Sequence, residues 1–582
     1  MTVSGDHDGA VLVHPSSIEV RDVAIGALPV VNLVLGRLGF DELVASYLPE
    51  PDRRCVIDPA RVIGVLVRNL AIARQPLYGI SAWAQRYPPD LLGLRAGEAG
   101  RLNDDRVGRA LDELFVADRA SMLTSLSLAA IARYDIETTQ LHNDSTSITL
   151  YGAYRHATGT PRAGQRPPVP ERGFSKDHRG DLKQLVEILT VSADGAVPLA
   201  HRLADGGTED STTHIGTWDE LVALVGSPEF LYVADCKLAT SDNMRHIAAN
   251  HGRFLTILPR TRREDGIGRE WIASGVVTWS EIARQPGRTK DAPTEVYWAA
   301  EAPSCSEEGF RICWIRSSDK RQHDAAARAN RIEATRAALA ELDDGLSSKR
   351  RRLKTRSAIE EAVAGILAER GAARWVRAEV TDTVVYEHRQ DRRGRPGPNT
   401  RYRRIEHHSF RVNFETDADA VAHDAASDGC FPFVTNEAAP AAELLRIYKT
   451  QPHLERRHAT FKGVIEAAPL TLKSDARIDA LAFCLYVALL VHALVERQLR
   501  RAMAAGHIKA LPLYYEDRAC TAPTAARVFE LLEPLSSTSI LHAGELLTVA
   551  APTLEPLQRQ ILSLLKVPQR AYTAARPTPA QP

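Results

Sequence analysis

Hydrophobic positions recur at helical spacing through the first quarter of the chain, then give way after Thr139 to short apolar runs of strand length. Asp58-Pro59 opens a run with Val62, Ile63, Val65, Leu66, Leu70 and Ile72 that is apolar nearly all round, which predicts a buried helix. Asn103-Asp104-Asp105 supplies a cap for a second helix, in which Val107, Leu111, Leu114 and Phe115 share one face. Residues 1–136 read as a helical N-terminal domain, serving either DNA-end binding or packing and dimerisation.

The next stretch has the rhythm of a sheet. Residues 140–150 and 184–191 predict strands, and 197–203 a third after the turn Asp194-Gly195. A helix over 208–224 and a short strand over 231–234, buried on both faces, follow. Strands, then a helix, then a buried strand ending in Asp235 is the order of a mixed α/β sheet, and residues 137–260 form its first part. Residues 261–435 are too long for a loop and read as an insertion domain. It contains strands over 294–299, 310–315 and 380–388, and a helical hairpin over 325–342 and 347–370 that breaks at Asp343-Asp344-Gly345. Five tryptophans (271, 279, 298, 314 and 375) fall there, with core packing as their ordinary role and base stacking the alternative. Residues 436–510 hold the last helices of the core, and 511–582 a tail with helices over 525–532 and 554–565 and three prolines at its end.

Composition narrows the picture only a little. The 582 residues call for about three to four domains. With 44% hydrophobic and 25% charged residues, most of the chain should fold. Lys plus Arg equals Asp plus Glu at 73 each, so a nucleic-acid surface must come from local segregation of charge. Seven scattered cysteines without a CxxC pair fit a reducing compartment and argue against a zinc ribbon. Met1 to Asp8 has no signal-peptide character, and the apolar stretch 480–494 reads as too short to span a bilayer; the expectation is a cytoplasmic protein without a membrane partner.

Three carboxylates carry the candidate chemistry. Asp144 and Asp235 close apolar runs, and Glu455 stands midway between Tyr448 and Lys462. Carboxylates far apart in sequence, two of them at strand ends, suit a site that holds two hard cations about 4 Å apart against a phosphodiester. Each aspartate alone is equally a turn or cap residue. Lys462, seven residues after Glu455, is placed by helical periodicity on nearly the same face, while Pro452 leaves Tyr448 at or before the helix start. An ordinary amphipathic helix with solvated Arg456, Arg457 and Lys462 accounts for the same residues.

Four passages resemble the DDE transposases of bacterial insertion sequences, in the IS4-like group and most closely its IS1634 branch. They are Asn143-Asp144-Ser145-Thr146 with Gly152; Gly173-Phe174-Ser175-Lys176-Asp177-His178-Arg179-Gly180-Asp181-Leu182-Lys183-Gln184; Asp235 with Ser241 and Asn243; and Asp428-Gly429 to Thr435-Asn436, followed by Tyr448, Glu455 and Lys462. The resemblance spans residues 55–500. It implies an α/β fold: an RNase H-like mixed-sheet catalytic core with a large α+β insertion and a helical N-terminal domain. It further implies Asp144, Asp235 and Glu455 as ligands of two Mg2+ ions, with Mn2+ able to substitute. The implied partners are double-stranded DNA, as transposon ends and target, and a second copy in a homodimeric synaptic complex at the nucleoid. Two departures stand out: Gln451 takes the place of the signature arginine, removing one phosphate contact, and Gly206-Gly207-Thr208 stands where Gly-Asn is common.

Lys176, His178 and Arg179 form a basic approach to the second strand that could grip a DNA backbone, and Tyr448 and Lys462 join them as expected DNA contacts. Arg393-Gly394-Arg395-Pro396, within seven arginines from Arg389 to Arg404, looks like an AT-hook core, although phosphate contact by Arg393 and Arg395 explains it as well. Lys349 to Arg352 reads as a solvated or backbone-binding patch. The function expected is a transposase that cuts at its element's ends and joins the 3′-hydroxyls to target DNA. The alternatives are a repair or recombination nuclease on the same fold and an inactive DNA-binding derivative.

Overall fold

The computed structural model describes residues 18–51, 55–176, 179–287, 292–346, 352–465, 472–514, 516, 518–543 and 545–574. His178, Lys349 to Arg351, the first eight residues and the proline-containing end lie outside them. The chain forms two compact units, Met1–Thr256 with Ile447–Pro582, and Ile257–Arg446.

In the first unit, β1 (Ile18–Ala24) leads into six helices: α1 (Leu28–Leu38), α2 (Phe40–Tyr47), α3 (Pro59–Ile72), α4 (Ile80–Ala84), α5 (Asp104–Val116) and α6 (Arg119–Tyr134). The caps act as the sequence predicts. Asp58 accepts from the Ala60 amide at 2.9 Å and Asn103 from the Arg106 amide at 2.8 Å. A mixed sheet follows, built from β2 (Gln140–Leu150), β3 (Lys183–Ser192), β4 (Pro198–Ala204), β5 (Leu231–Val233) and β6 (Arg253–Ile257), with α7 (His214–Val225) and α8 (Ser241–Ala249) as connections. Its order is β4-β3-β2-β5-β6. The β2-β3 and β3-β4 pairs are antiparallel, and β2-β5 and β5-β6 parallel. The expected helix over 208–224 starts late, since Asp210–Thr212 is a separate short turn.

The second unit contains α9 (Arg263–Ala273), β7 (Ser280–Gln285), β8 (Glu295–Glu301), β9 (Arg311–Ser317), α10 (Ser318–Leu346), α11 (Arg356–Glu369), β10 (Val376–Gln390), β11 (Tyr402–Thr416), α12 (Ala418–Ala426) and β12 (Cys430–Thr435). An antiparallel sheet runs β12-β9-β8-β7, and β10 and β11 make a separate two-stranded ribbon. The hairpin break expected at Asp343-Asp344-Gly345 is absent. α10 continues through it because buried Asp343 is an acceptor for β11, taking the Val412 amide at 2.8 Å and Arg411 Nε at 3.0 Å. Trp314 is fully buried, in keeping with its core role.

After α13 (Ala441–Tyr448) the first unit resumes with α14 (Gln451–Ala459), a π-helical turn over Thr460–Val464, α15 (Asp475–Ala505), α16 (Ala525–Leu532), β13 (Ser536–His542), β14 (Glu545–Ala550), α17 (Pro556–Leu564) and α18 (Arg570–Thr573). The C-terminal segment is more than a tail, because β13 pairs with β1 and β14 to form a three-stranded sheet. The apolar stretch expected to be too short for a bilayer belongs to a helix of 31 residues, which by length and composition could cross one. Here its most apolar window is 94% buried inside the protein, as a core helix would be.

Candidate active site

The register of β2 against β5 brings the two aspartates together. Val233 is the parallel neighbour of His142, so Asp235 and Asp144 each lie two residues further along adjacent strand paths and point to the same face. Asp144 is not at a strand end as expected; it is the fifth of eleven residues in β2, paired with Leu189 of β3. Asp235 follows β5 and also performs the ordinary cap role, accepting from the Lys237 amide at 2.9 Å. Burial raises the Asp235 pKa, and repulsion from Asp144 and Asp210 adds to the rise.

Lys176 provides the positive charge among these acids. Its ammonium lies 3.4 Å from Asp144 Oδ1 and 3.3 Å from Asp210 Oδ2, and it donates to Ser145 Oγ at 3.1 Å. Burial works against its charge, yet Asp144, Asp210 and Asp235 outweigh that and raise its pKa. The loop carrying it sits tightly against the backbone after β4. A Cβ on Gly173 would come within 2.3 Å of the Gly206 carbonyl, and Gln184 Nε2 donates to both Phe174 O and Gly206 O. The Gly206-Gly207 departure is therefore a close-approach site. Arg179 is turned elsewhere, bidentate to Asp181 at 2.8 and 2.7 Å.

Glu455 is carried by α14, which two buried polar clamps hold in place. Gln451 Oε1 is 2.7 Å from His142 Nδ1, and its Nε2 donates to Asn143 O at 3.1 Å, tying the first turn of α14 to β2 beside Asp144. Burial pushes the His142 pKa down to about 4, so the ring is neutral near pH 7. Thr450 Oγ1 donates to Ile447 O and Gln140 Nε2 approaches His142 Nε2 at 2.7 Å, which assigns the His142 proton to Nδ1. At the other end Arg457, solvated only in the ordinary amphipathic-helix alternative, is buried. It bonds Glu496 Oε2 at 2.8 Å, Ala196 O at 2.8 Å and Gly195 O at 3.0 Å. Glu455, between the clamps, is left exposed.

Tyr448 ends α13, before the helix start as Pro452 requires. Its phenol is pushed well above its usual pKa, first by burial and then by Asp235, Cys236, Asp144 and Glu455. Lys462 does not keep the two-turn register with Glu455, because α14 ends at Ala459 and Lys462 lies in the wider π-helical turn. Arg393 and Arg395 belong to the second unit, in the loop between β10 and β11.

Two residues escaped the sequence reading. Asp210 lies in the turn after Gly206-Gly207 and shares Lys176 with Asp144. His458, one turn past Glu455, stands 3.9 Å from Asp144 Oδ2 and 3.3 Å from the fully buried Glu187, which also approaches His201 at 3.5 Å. Its position three residues after Glu455 on a helix was the available signal.

The donor chemistry fits a hard divalent cation, since Asp144, Asp235 and Glu455 offer carboxylate oxygens only. Among the described residues no three His, Cys, Asp or Glu side chains stand close enough to enclose an ion, and the Lys176 ammonium supplies the cationic charge instead.

A family model with the description "Domain of unknown function (DUF4277)" matches residues 20–128. No curated protein matches the chain. Among solved structures the chain is similar to the piggyBac transposase in its synaptic complex with hairpin DNA, at 9% sequence identity and a TM-score of 0.23. The match covers 50% of this chain and 56% of that one, so the chain spans little more than half of that protein's length.

Proposed function

We propose that the protein is a transposase that binds the terminal inverted repeats of its element, cuts the DNA ends and joins the 3′-hydroxyls to target DNA. The observation that carries the reading is the parallel pairing of β2 with β5, which puts Asp144 and Asp235 each two residues past the neighbours His142 and Val233, with the Lys176 ammonium 3.4 Å from Asp144. The strand order β4-β3-β2-β5-β6, antiparallel on one side of β2 and parallel on the other, supports an RNase H-like core.

In this reading Asp144, Asp235 and Glu455 would hold two Mg2+ ions, or Mn2+ in their place, once drawn closer together than they stand here, and the ions would supply positive charge to a phosphodiester under displacement. The chain's own contribution is positioning. Gln451 and Arg457 fix α14, the helix that carries Glu455. Lys176, beside Asp144 and Asp210, would meet a phosphate, with Tyr448 and Lys462 as further DNA contacts, and Arg179 would join them only by leaving Asp181. Bringing two ends together calls for a homodimer on DNA.

The test uses duplexes carrying the DNA that flanks the gene, incubated with the purified chain and Mg2+ or Mn2+. Joined strand-transfer products are expected. Cleavage without joining would reassign the protein as a nuclease on the same fold, and binding without cleavage as an inactive derivative.

A further inference from the structure

The ribbon of β10 and β11 has no folding reason to be as long as it is. Its base is part of a core: Val376, Val380, Phe410 and Val412 pack with Leu339 and Leu346 of α10 and with α11. Beyond Val380 and Phe410 no ribbon residue is buried. The pairs from Thr383↔Ser409 to Gln390↔Tyr402 carry the strands roughly 25 Å past that core at the usual rise per residue. A two-stranded hairpin with both faces in water is marginal by itself. Val385, Tyr386 and Tyr402 are nevertheless 55%, 50% and 51% exposed on it.

Its charge is one-sided. Residues 389–404 hold seven arginines and one acid, Asp391. Arg404 pairs with Glu406 at 3.2 Å and lies 4.4 Å over the Tyr386 ring. Among the described residues the other six make no ion pair. Two of them, Arg389 and Arg403, are directly opposite each other across the ladder, where like charges repel. The loop itself is no extended strand: the Asp391 amide bonds Arg401 O at 3.0 Å, and Gly394 has φ +152.

We infer that the ribbon is a DNA-docking arm that enters the major groove of a duplex, with Arg389 and Arg403 lying in the groove and the loop arginines on the flanking phosphates. A major groove about 12 Å wide admits a two-stranded ribbon, and a minor groove about 6 Å wide does not. The unpaired arginines are the complement of a phosphate backbone, and the repulsion between Arg389 and Arg403 is relieved when counter-charge arrives. This rests on the reading that the protein works on DNA.

The test compares the full chain with a variant in which residues 384–408 are replaced by an Asn-Gly turn, and with Arg389→Ala/Arg403→Ala. Duplex binding is measured against salt without divalent metal, so that the outcome is independent of cleavage. The slope of log K on log salt should fall by about 3 or more on ribbon removal and by about 1 to 2 in the double variant, at roughly 0.9 for each phosphate no longer neutralised. The double variant should melt no lower than the parent. Dimethyl sulfate should show guanine N7 atoms protected by the parent and re-exposed in both variants. An unchanged salt slope overturns the arm while leaving the proposed chemistry standing. Protection confined to adenine N3, or loss of binding to phosphatidylserine vesicles with duplex binding intact, overturns it as well. A parent chain that binds no duplex defeats both readings together.

Discussion

The three acids and the arginine ribbon are built in opposite ways. Asp144, Asp235 and Glu455 come from segments far apart in sequence, and the elements that carry them are clamped by buried groups, Gln451 on His142 and Arg457 on Glu496. The ribbon arginines are contiguous, exposed and, apart from Arg404, unpaired among the described residues. Phosphoryl chemistry needs groups fixed beforehand, because reorganising them during the reaction would cost what the site gains. Gripping a polyanion needs only charge within reach. Substitutions at the two places should therefore fail in different ways.

The largest contrast is at the acids. Asp144→Asn, Asp235→Asn or Glu455→Gln should lower cleavage by about a thousandfold or more, which corresponds to roughly 4 kcal/mol of barrier, while duplex binding and melting temperature hold. Single-turnover cleavage assays decide it, and full activity in any one variant removes that residue from the site. Next comes the clamp. Arg457→Ala leaves the buried Glu496 to Arg500 at 3.3 Å and the Ala525 amide at 3.1 Å, and should cost about 2–3 kcal/mol in denaturant unfolding. A loss below about 1 kcal/mol would mean that α14 is held by other contacts.

Acid should also separate the two regions, since the first unit buries neutral imidazoles that the exposed ribbon lacks. Burial pushes His214 down to about 4 and also lowers His492. The unfolded chain takes up these protons near pH 6.5 and the folded chain does not, so stability falls as pH drops from about 6.5 to about 4. For His214 the loss is on the order of 3 kcal/mol by pH 4. Melting temperatures across that window check it. His214→Asn should flatten the profile, and a slope identical to that of the parent would refute the assignment.

What the sequence made legible follows the same division. β3 was readable because its apolar run has no competing interpretation, whereas the spacing from Glu455 to Lys462 implied a shared helical face that the π-helical turn after Ala459 breaks. β11 was not readable, since Tyr402–Thr416 is rich in Arg and His and gains its strand character from pairing with β10. Gly345 read as a helix break because nothing local says that Asp343 will be an acceptor for β11. Arg457 read as solvated in the amphipathic-helix alternative, and Gln451 as a missing phosphate ligand, for one reason: the partners of both are set by tertiary register. Asp210 and His458 were invisible for that reason too: Asp210 meets Lys176 once the turn after β4 packs on the loop before β3, and His458 nears Asp144 once α14 lies against β2.

Gln451 offers a finer test of how far the acidic site depends on register. Gln451→Ala leaves the buried His142 Nδ1 without its acceptor, at a cost of about 1–3 kcal/mol. Cleavage should fall more than melting temperature suggests, because the first turn of α14 loses its tie to β2. Gln451→Glu keeps an acceptor for the Nδ1 proton and should recover part of the activity; equal losses in both variants would reduce Gln451 to packing.

The smallest effect expected is at Arg395, and it sharpens the comparison most. Arg395 is exposed in the loop between β10 and β11 and, among the described residues, has no ion pair, so Arg395→Ala removes no internal salt bridge and should leave unfolding unchanged within about 0.5 kcal/mol. If it meets one phosphate, duplex affinity falls and the salt slope drops by about 0.9. Cleavage at saturating DNA should stay at the parent rate, because no acid moves. A slope unchanged by Arg395→Ala would take this residue out of the interface, and a fall in cleavage at saturation would mean that grip and chemistry are coupled where the contrast treats them as separate.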